Sequence, residues 1–222
     1  MTAAPLEIFD DSDALARAAA DFVRQRARSA IAASGRFTFA VSGGRTPWAM
    51  FEHLTKDDAA WDRIDIYQVD ERVAPAGDPD RNLTHLHESL PPQTSIHAMP
   101  VEIADLDTAA QRYANELPTQ FDLIHLGLGA DGHTASLVPG DPVLDVVDRD
   151  VAVTQPYMGH RRMTLTYPVI NRAAEVLWLV AGADKVDALW RLQAGDQSIP
   201  GGRVSTPRQV IFADRPAATR TP

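Results

Sequence analysis

The run Gly127-Leu128-Gly129-Ala130-Asp131-Gly132-His133 puts a carboxylate and an imidazole two residues apart in a glycine-rich loop. A neutral imidazole can take a proton from water near physiological pH, and a neighbouring carboxylate can orient it. The loop follows Phe121-Asp122-Leu123-Ile124-His125-Leu126, which has the length and apolarity of a buried strand. It therefore falls at the carboxyl end of a strand, the edge at which open α/β sheets bind ligands. A lone histidine is more often structural than catalytic. The glycines and Asp131 shift that balance toward a base delivered to a pocket.

Two more polar loops fall at expected strand ends. Ser42-Gly43-Gly44-Arg45-Thr46 lies between the strand 37–41 and a helix that opens at Pro47. Glycines let backbone N–H groups approach an anion, and a helix N-terminus adds about half a positive charge. The loop suits a phosphate, but it matches neither the dinucleotide nor the Walker pattern, and a simple tight turn fits the local sequence as well. Asp70-Glu71-Arg72 ends the strand 64–69 and is either a ligand loop or a solvated turn. In a parallel sheet these ends converge on one edge. Arg162 precedes the strand 163–166, and Lys185 opens the helix after the strand 176–181; each is a surface cation or part of an anion site. Asn82 is a candidate helix cap or hydroxyl partner.

Other chemistries lack their residues. There is no cysteine, hence no disulfide, thiolate metal site or thiol nucleophile. There is no H-E-x-x-H, and His85 and His87, two apart on a helix, point to different faces, so no metal is expected. Ser136 lacks the G-x-S-x-G elbow of a hydrolase nucleophile. No organic cofactor is expected either.

The elements that must carry these loops alternate. Strands are expected at 6–9, 37–41, 64–69, 121–126, 151–154, 163–166, 176–181 and 210–213. Helices are expected at 12–34, 47–54, 83–90, 107–117 and 184–192, with Asp11 or Ser12 as the first N-cap and Gly35 as its stop. Residues 215–222 read as a frayed tail. The pattern predicts one α/β domain over 1–222, a largely parallel open sheet with helices on both faces. A chain of 222 residues can bury roughly 70% of its unfolded surface without staples.

A net charge of −9 argues against nucleic acid and anionic membrane as partners. Beyond a Debye length of about 8 Å that charge is screened, so a local cation cluster can still hold a small anion. Of the 21 basic residues only Lys56 and Lys185 are lysines. No apolar run reaches the roughly 20 residues of a membrane span, and the N-terminus has no signal-peptide pattern. Cytoplasmic location and a monomer or small homo-oligomer are the expectations.

With these residues assembled, the sequence resembles the 6-phosphogluconolactonase family. Ser42-Gly43-Gly44-Arg45-Thr46-Pro47, Asp70-Glu71-Arg72 with Asn82, residues 127–140, Arg162-Met163-Thr164-Leu165-Thr166 and residues 182–185 follow the family's order and approximate spacing, over nearly the whole chain. The resemblance implies the fold shared with glucosamine-6-phosphate deaminases. It also implies hydrolysis of 6-phospho-D-glucono-1,5-lactone to 6-phosphogluconate in the oxidative pentose phosphate pathway. On that reading the phosphate rests on the N–H groups of residues 42–46, with Arg162 and Lys185 neutralising it and Arg45 adding a contact or facing solvent. Asp70, Arg72 and Asn82 touch the sugar, His133 is the base, Asp131 orients it, and backbone amides or Arg72 stabilise the oxyanion. The deaminase relatives carry a glutamate five residues after the histidine; here that residue is Val138. A deaminase and a non-enzymatic sugar-phosphate sensor are the alternatives.

Overall fold

The computed structural model describes residues 4–56 and 60–219. Among the described residues seven strands form one fully parallel sheet: β1 (Leu6–Phe9), β2 (Phe37–Val41), β3 (Ile64–Gln68), β5 (Ser95–His97), β6 (Leu123–Gly127), β9 (Val176–Val180) and β10 (Gln209–Asp214). Their spatial order is β1-β10-β9-β6-β2-β3-β5. From β2 the chain moves outward through β3 to β5; from β6 it moves outward the other way through β9 to β10. Neighbouring β2 and β6 thus diverge, and a crevice opens above their carboxyl ends.

Alternation along the strands explains the two faces. Phe37, Phe39 and Val41 of β2 join Leu123, Leu177 and Phe212 beneath α1 (Ser12–Ser34), α2 (Arg45–Leu54) and α3 (Asn82–Ser89). On the opposite face Ala40, Ile124, Leu126 and Trp178 pack beneath α4 (Leu106–Glu116), α5 (Tyr167–Asn171), α6 (Val186–Gln193) and α7 (Arg215–Ala218). Each large apolar side chain so buried contributes about 1.5–3 kcal/mol. Asp11 caps α1 by accepting from the Ala14 amide at 2.8 Å, and Gly35, at φ +85°, ends it in the left-handed conformation that favours glycine. The expected α/β class with a largely parallel sheet covered on both faces is what folds.

Several segments differ from the sequence reading. Asp70-Glu71-Arg72 is not a turn but a short strand, β4 (Asp70–Arg72). It pairs antiparallel with β8 (Arg162–Leu165), which pairs antiparallel with β7 (Val151–Val153) in a second, three-stranded sheet. A run of three charges reads as solvated, yet Glu71 is fully buried. Its carboxylate is satisfied by Arg81 at 3.0 Å and by the amides of Arg72, Asn82 and Leu83 at 2.8–2.9 Å, so it also serves the N-terminus of α3. The expected frayed tail begins as a helical turn instead: Asp214 accepts from the Ala217 amide at 2.8 Å and Ala217 is buried. Residues 220–222 of that tail lie outside the described residues. Strand β5 and helix α5, three and five residues long, form where periodicity predicts neither.

Candidate active site

The carboxyl ends of the four central strands, β9, β6, β2 and β3, and the small sheet beside them enclose a cavity of about 270 Å³. It is lined by Ser42, Gly43, Gly44, Arg45, Thr46, Asp70, Arg72, Asn82, His133, Arg162 and Lys185, among others. Every expected site residue except Asp131 reaches this wall, and Asp131 holds His133.

The loop after β6 is a tight frame for that pair. Gly129 N–H donates to the His133 carbonyl at 2.8 Å, and Gly132 N–H donates to the Gly129 carbonyl at 2.9 Å. Gly132 has φ +82°, and a Cβ there would sit 2.5 Å from Ile199 Cβ. A Cβ on Gly129 would overlap His133 Nδ1 and come within 2.7 Å of Asp131 Oδ1. Both glycines are therefore required by close approach. Asp131 Oδ1 accepts from the His133 amide at 3.1 Å and lies 2.6 Å from Nδ1 of the ring. Burial opposes ionisation of Asp131, but its bonding to the His133 amide and its interaction with the His133 ring carry its pKa below the ordinary value. Asp131 is thus a carboxylate and Nδ1 carries the proton it accepts. The remaining nitrogen, Nε2, is the basic one.

Facing this loop, α2 begins at Arg45 with no side-chain cap on its N-terminus. Gly44, at φ +133°, turns the chain into the helix. The first amides of a helix lack intrahelical partners and attract anions. The expected cradle is one amide shorter than the loop: Ser42 N–H donates to His125 Nδ1 at 3.3 Å, and Ser42 Oγ donates to the His125 carbonyl at 3.2 Å. Gly43 is fixed by proximity, since a Cβ there would lie 2.5 Å from Asn82 Cγ.

His125 is a wall residue that the sequence hides inside an apolar strand. It is fully buried and lines the cavity; burial pushes its pKa down to about 3, so the ring is neutral. Its one signal in the sequence is a polar residue within a run of buried aliphatics.

The cations converge from separate elements. Arg162 comes from β8 and stands opposite Arg72 of β4. Its side chain is only 9% exposed, its Nη1 lies 4.0 Å from Asp70 Oδ2, and its Nε finds no hydrogen-bond partner among the described residues. Burial pulls its pKa below the usual guanidinium value. A buried charge this poorly paired is costly unless an anion completes its shell. Arg72 Nη1 donates to Asn82 Oδ1 at 2.7 Å and to the Asp80 carbonyl at 3.0 Å. Asn82 Nδ2 in turn donates to the Asp70 carbonyl at 2.9 Å, so its side chain braces the wall rather than capping α3. Asp70 Oδ2 accepts from Ser136 Oγ at 2.6 Å, which gives that serine a partner other than a catalytic base. Lys185 stands 2.9 Å from Asp184 at the rim. Four cations and one carboxylate thus line a cavity in a chain of net charge −9.

Among the described residues no group of three or more His, Asp or Glu could hold a metal ion, and no helix is long and apolar enough to cross a membrane.

The family model for glucosamine-6-phosphate isomerases and 6-phosphogluconolactonase matches residues 10–212. A Synechocystis 6-phosphogluconolactonase is 40% identical, with 86% of each chain covered. A Mycobacterium tuberculosis 6-phosphogluconolactonase is 33% identical, with 98% of each covered. In fold, the chain is similar to the crystal structure of 6-phosphogluconolactonase from Leishmania guyanensis (TM-score 0.88, 23% identity, 99% of each chain). It is also similar to a monomeric glucosamine-6-phosphate deaminase (TM-score 0.85, 16% identity, 96% of this chain and 98% of that one).

Proposed function

The chain belongs to the glucosamine-6-phosphate isomerase/6-phosphogluconolactonase family, and we propose that it hydrolyses 6-phospho-D-glucono-1,5-lactone to 6-phospho-D-gluconate, the hydrolytic step of the oxidative pentose phosphate pathway. The observation that carries this reading is the pairing in one cavity of an aspartate-held imidazole with a buried, under-paired Arg162 beside a helix N-terminus.

The phosphate rests on the first amides of α2 between Arg162 and Lys185, with Arg45 at the mouth. Charge-assisted bonds of this kind are about twice as strong as neutral ones. Asp70, Arg72 and Asn82 wall the sugar. His133 Nε2 takes a proton from water as the water oxygen attacks C1. The C1–ring-oxygen bond then breaks, and the imidazolium returns the proton to the leaving oxygen. The carboxylic acid formed ionises and releases one proton to solvent. General base catalysis supplies about 10²–10⁴-fold, and positioning adds more. An activated ester needs little beyond that, and no covalent nucleophile is required.

The deaminase reading is weakened by Val138, a buried aliphatic side chain where the deaminase-like pattern carries a glutamate. A cysteine-free chain needs no oxidising compartment, and the cytoplasm is the proposed location. The test is acid release from freshly generated lactone, corrected for spontaneous opening, beside ammonia release from glucosamine-6-phosphate. Acid without ammonia supports the lactonase. Ammonia would make it a deaminase, and saturable binding with neither product would make it a sensor.

A further inference from the structure

The turn that joins β7 to β8 overhangs His133. Thr154 N–H donates to the Arg162 carbonyl at 2.8 Å, and Tyr157 N–H donates to the His160 carbonyl at 2.9 Å, so the two limbs zip up to a tip at Met158-Gly159. Both tip residues have positive φ, +48° and +87°. That is the geometry of a tight two-residue hairpin, and it is uncommon for methionine, whose side chain stands 76% exposed. The strained tip fixes Tyr157 on the inner side. Its hydroxyl donates to Asp131 Oδ2 at 3.3 Å, the carboxylate oxygen that His133 Nδ1 does not use. Its ring meets the His133 ring edge-on at 5.7 Å, and the Arg162 guanidinium stands 5.4 Å from its centroid.

We propose that Tyr157 is a positioning residue that completes a Tyr157–Asp131–His133 chain, fixing the carboxylate's orientation and tempering its pull on the imidazole. This rests on the reading of His133 as the base. Asp131 is a half-exposed carboxylate with two oxygens, and bonds to His133 through one of them would leave the other free to swing. A donor on the second oxygen removes that freedom. The same donor draws charge away from the carboxylate and so weakens its hold on the ring proton at Nδ1. The hydroxyl remains a donor throughout the physiological range, because burial and then the charge of Asp131 push its pKa up. Nothing in the local sequence marks Tyr157: Gln155-Pro156-Tyr157-Met158-Gly159 reads as an ordinary loop.

The test is Tyr157→Phe, which keeps the ring, its contact with Arg162 and the packing of the turn. Steady-state kinetics on 6-phosphogluconolactone are measured beside the ¹⁵N titration of the His133 ring in histidine-labelled protein. The His133 signal is identified by its loss in His133→Gln. The other charged groups on the cavity wall are Asp70 and Arg72 from β4, Arg162 from β8, Arg45 at the start of α2 and Lys185 beyond β9, and Asp131 lies on the ring's own loop. All are unchanged in the variant, so any difference reports the hydroxyl. The expected result is a kcat about 3–10-fold lower with KM within about twofold, and a His133 titration midpoint moved to higher pH. Unchanged kcat with superimposable titrations overturns the proposal. So does a fall in kcat with no shift in the titration, which would make Tyr157 mere packing. A rise in KM alone overturns it as well, since it would place the hydroxyl on the substrate. If the wild-type protein leaves the lactone intact, the functional reading fails, and the titration still decides whether the chain of three exists.

Discussion

Asp131 Oδ1 binds His133 twice, at the backbone amide (3.1 Å) and at ring Nδ1 (2.6 Å). One carboxylate oxygen thus fixes both where the residue sits and which ring nitrogen is left without a proton. Asp131→Asn keeps the shape but offers an amide that can present N–H to Nδ1 and favour the wrong tautomer. The expected outcome is a kcat at least about 10-fold lower with little change in KM. Steady-state assays on the phosphorylated lactone check it; wild-type turnover would remove Asp131 from the mechanism.

The clash at Gly129 gives a second prediction. A methyl there overlaps His133 Nδ1, whereas the backbone needs no left-handed φ. Gly129→Ala should therefore displace the imidazole and leave the fold standing. A misplacement of about 1 Å can cost about 10²-fold in rate. We expect kcat to fall by about that factor while the melting temperature moves by a few degrees at most, as read by parallel kinetics and calorimetry. Full activity would show that the ring has another productive position.

Arg162 and Lys185 are tested by separating phosphate recognition from chemistry. A charge-assisted hydrogen bond to the phosphate is worth about 1.5–3 kcal/mol, so deleting its donor should cost about 10–100-fold in KM. Arg162→Leu and Lys185→Ala should raise KM for the phosphorylated lactone by that range and leave hydrolysis of unphosphorylated gluconolactone unchanged. Equal reductions on both substrates would take these residues out of the phosphate site.

His125 predicts a pH dependence of stability. Its folded pKa is pushed down to about 3 by burial, against 6.5 when free. The unfolded chain therefore binds the extra proton first as pH falls. Stability that is intact above pH 6.5 drains away down to about pH 3. Between about pH 7 and pH 5 this one group should cost about 2 kcal/mol. His125→Asn, whose Oδ1 can still accept from the Ser42 amide, should flatten the urea-denaturation midpoint over that interval relative to wild type. Parallel pH slopes would show that His125 is not the group titrating.

What the sequence makes legible depends on how local each signal is. Helix α1 is readable to its ends because Asp11, the apolar spacing and Gly35 all act within one element. The two glycine loops reach the cavity because each follows the carboxyl end of a central parallel strand, a position that the order of apolar strands and loops makes readable. Glu71 is not: its partners Arg81, Asn82 and Leu83 lie ten to twelve residues on, and only the second sheet brings them together. Strand β5 carries no alternation that three residues could show. Tyr157 and His125 reach the site through tertiary contacts alone, from a hairpin tip and from a strand interior. Ser42 lies on the cavity wall as its loop predicts, but its amide does not serve a phosphate, because a histidine 83 residues away already holds it.

His133 is proposed as an aspartate-held imidazole that activates water. Initial rates of acid release from freshly generated 6-phosphogluconolactone should be measured for the folded wild-type protein and for His133→Gln, each corrected for spontaneous opening. The wild type should hydrolyse the lactone rapidly, and the variant should keep its KM while falling at least about 10²-fold in kcat. Turnover by His133→Gln within a fewfold of wild type would contradict that claim.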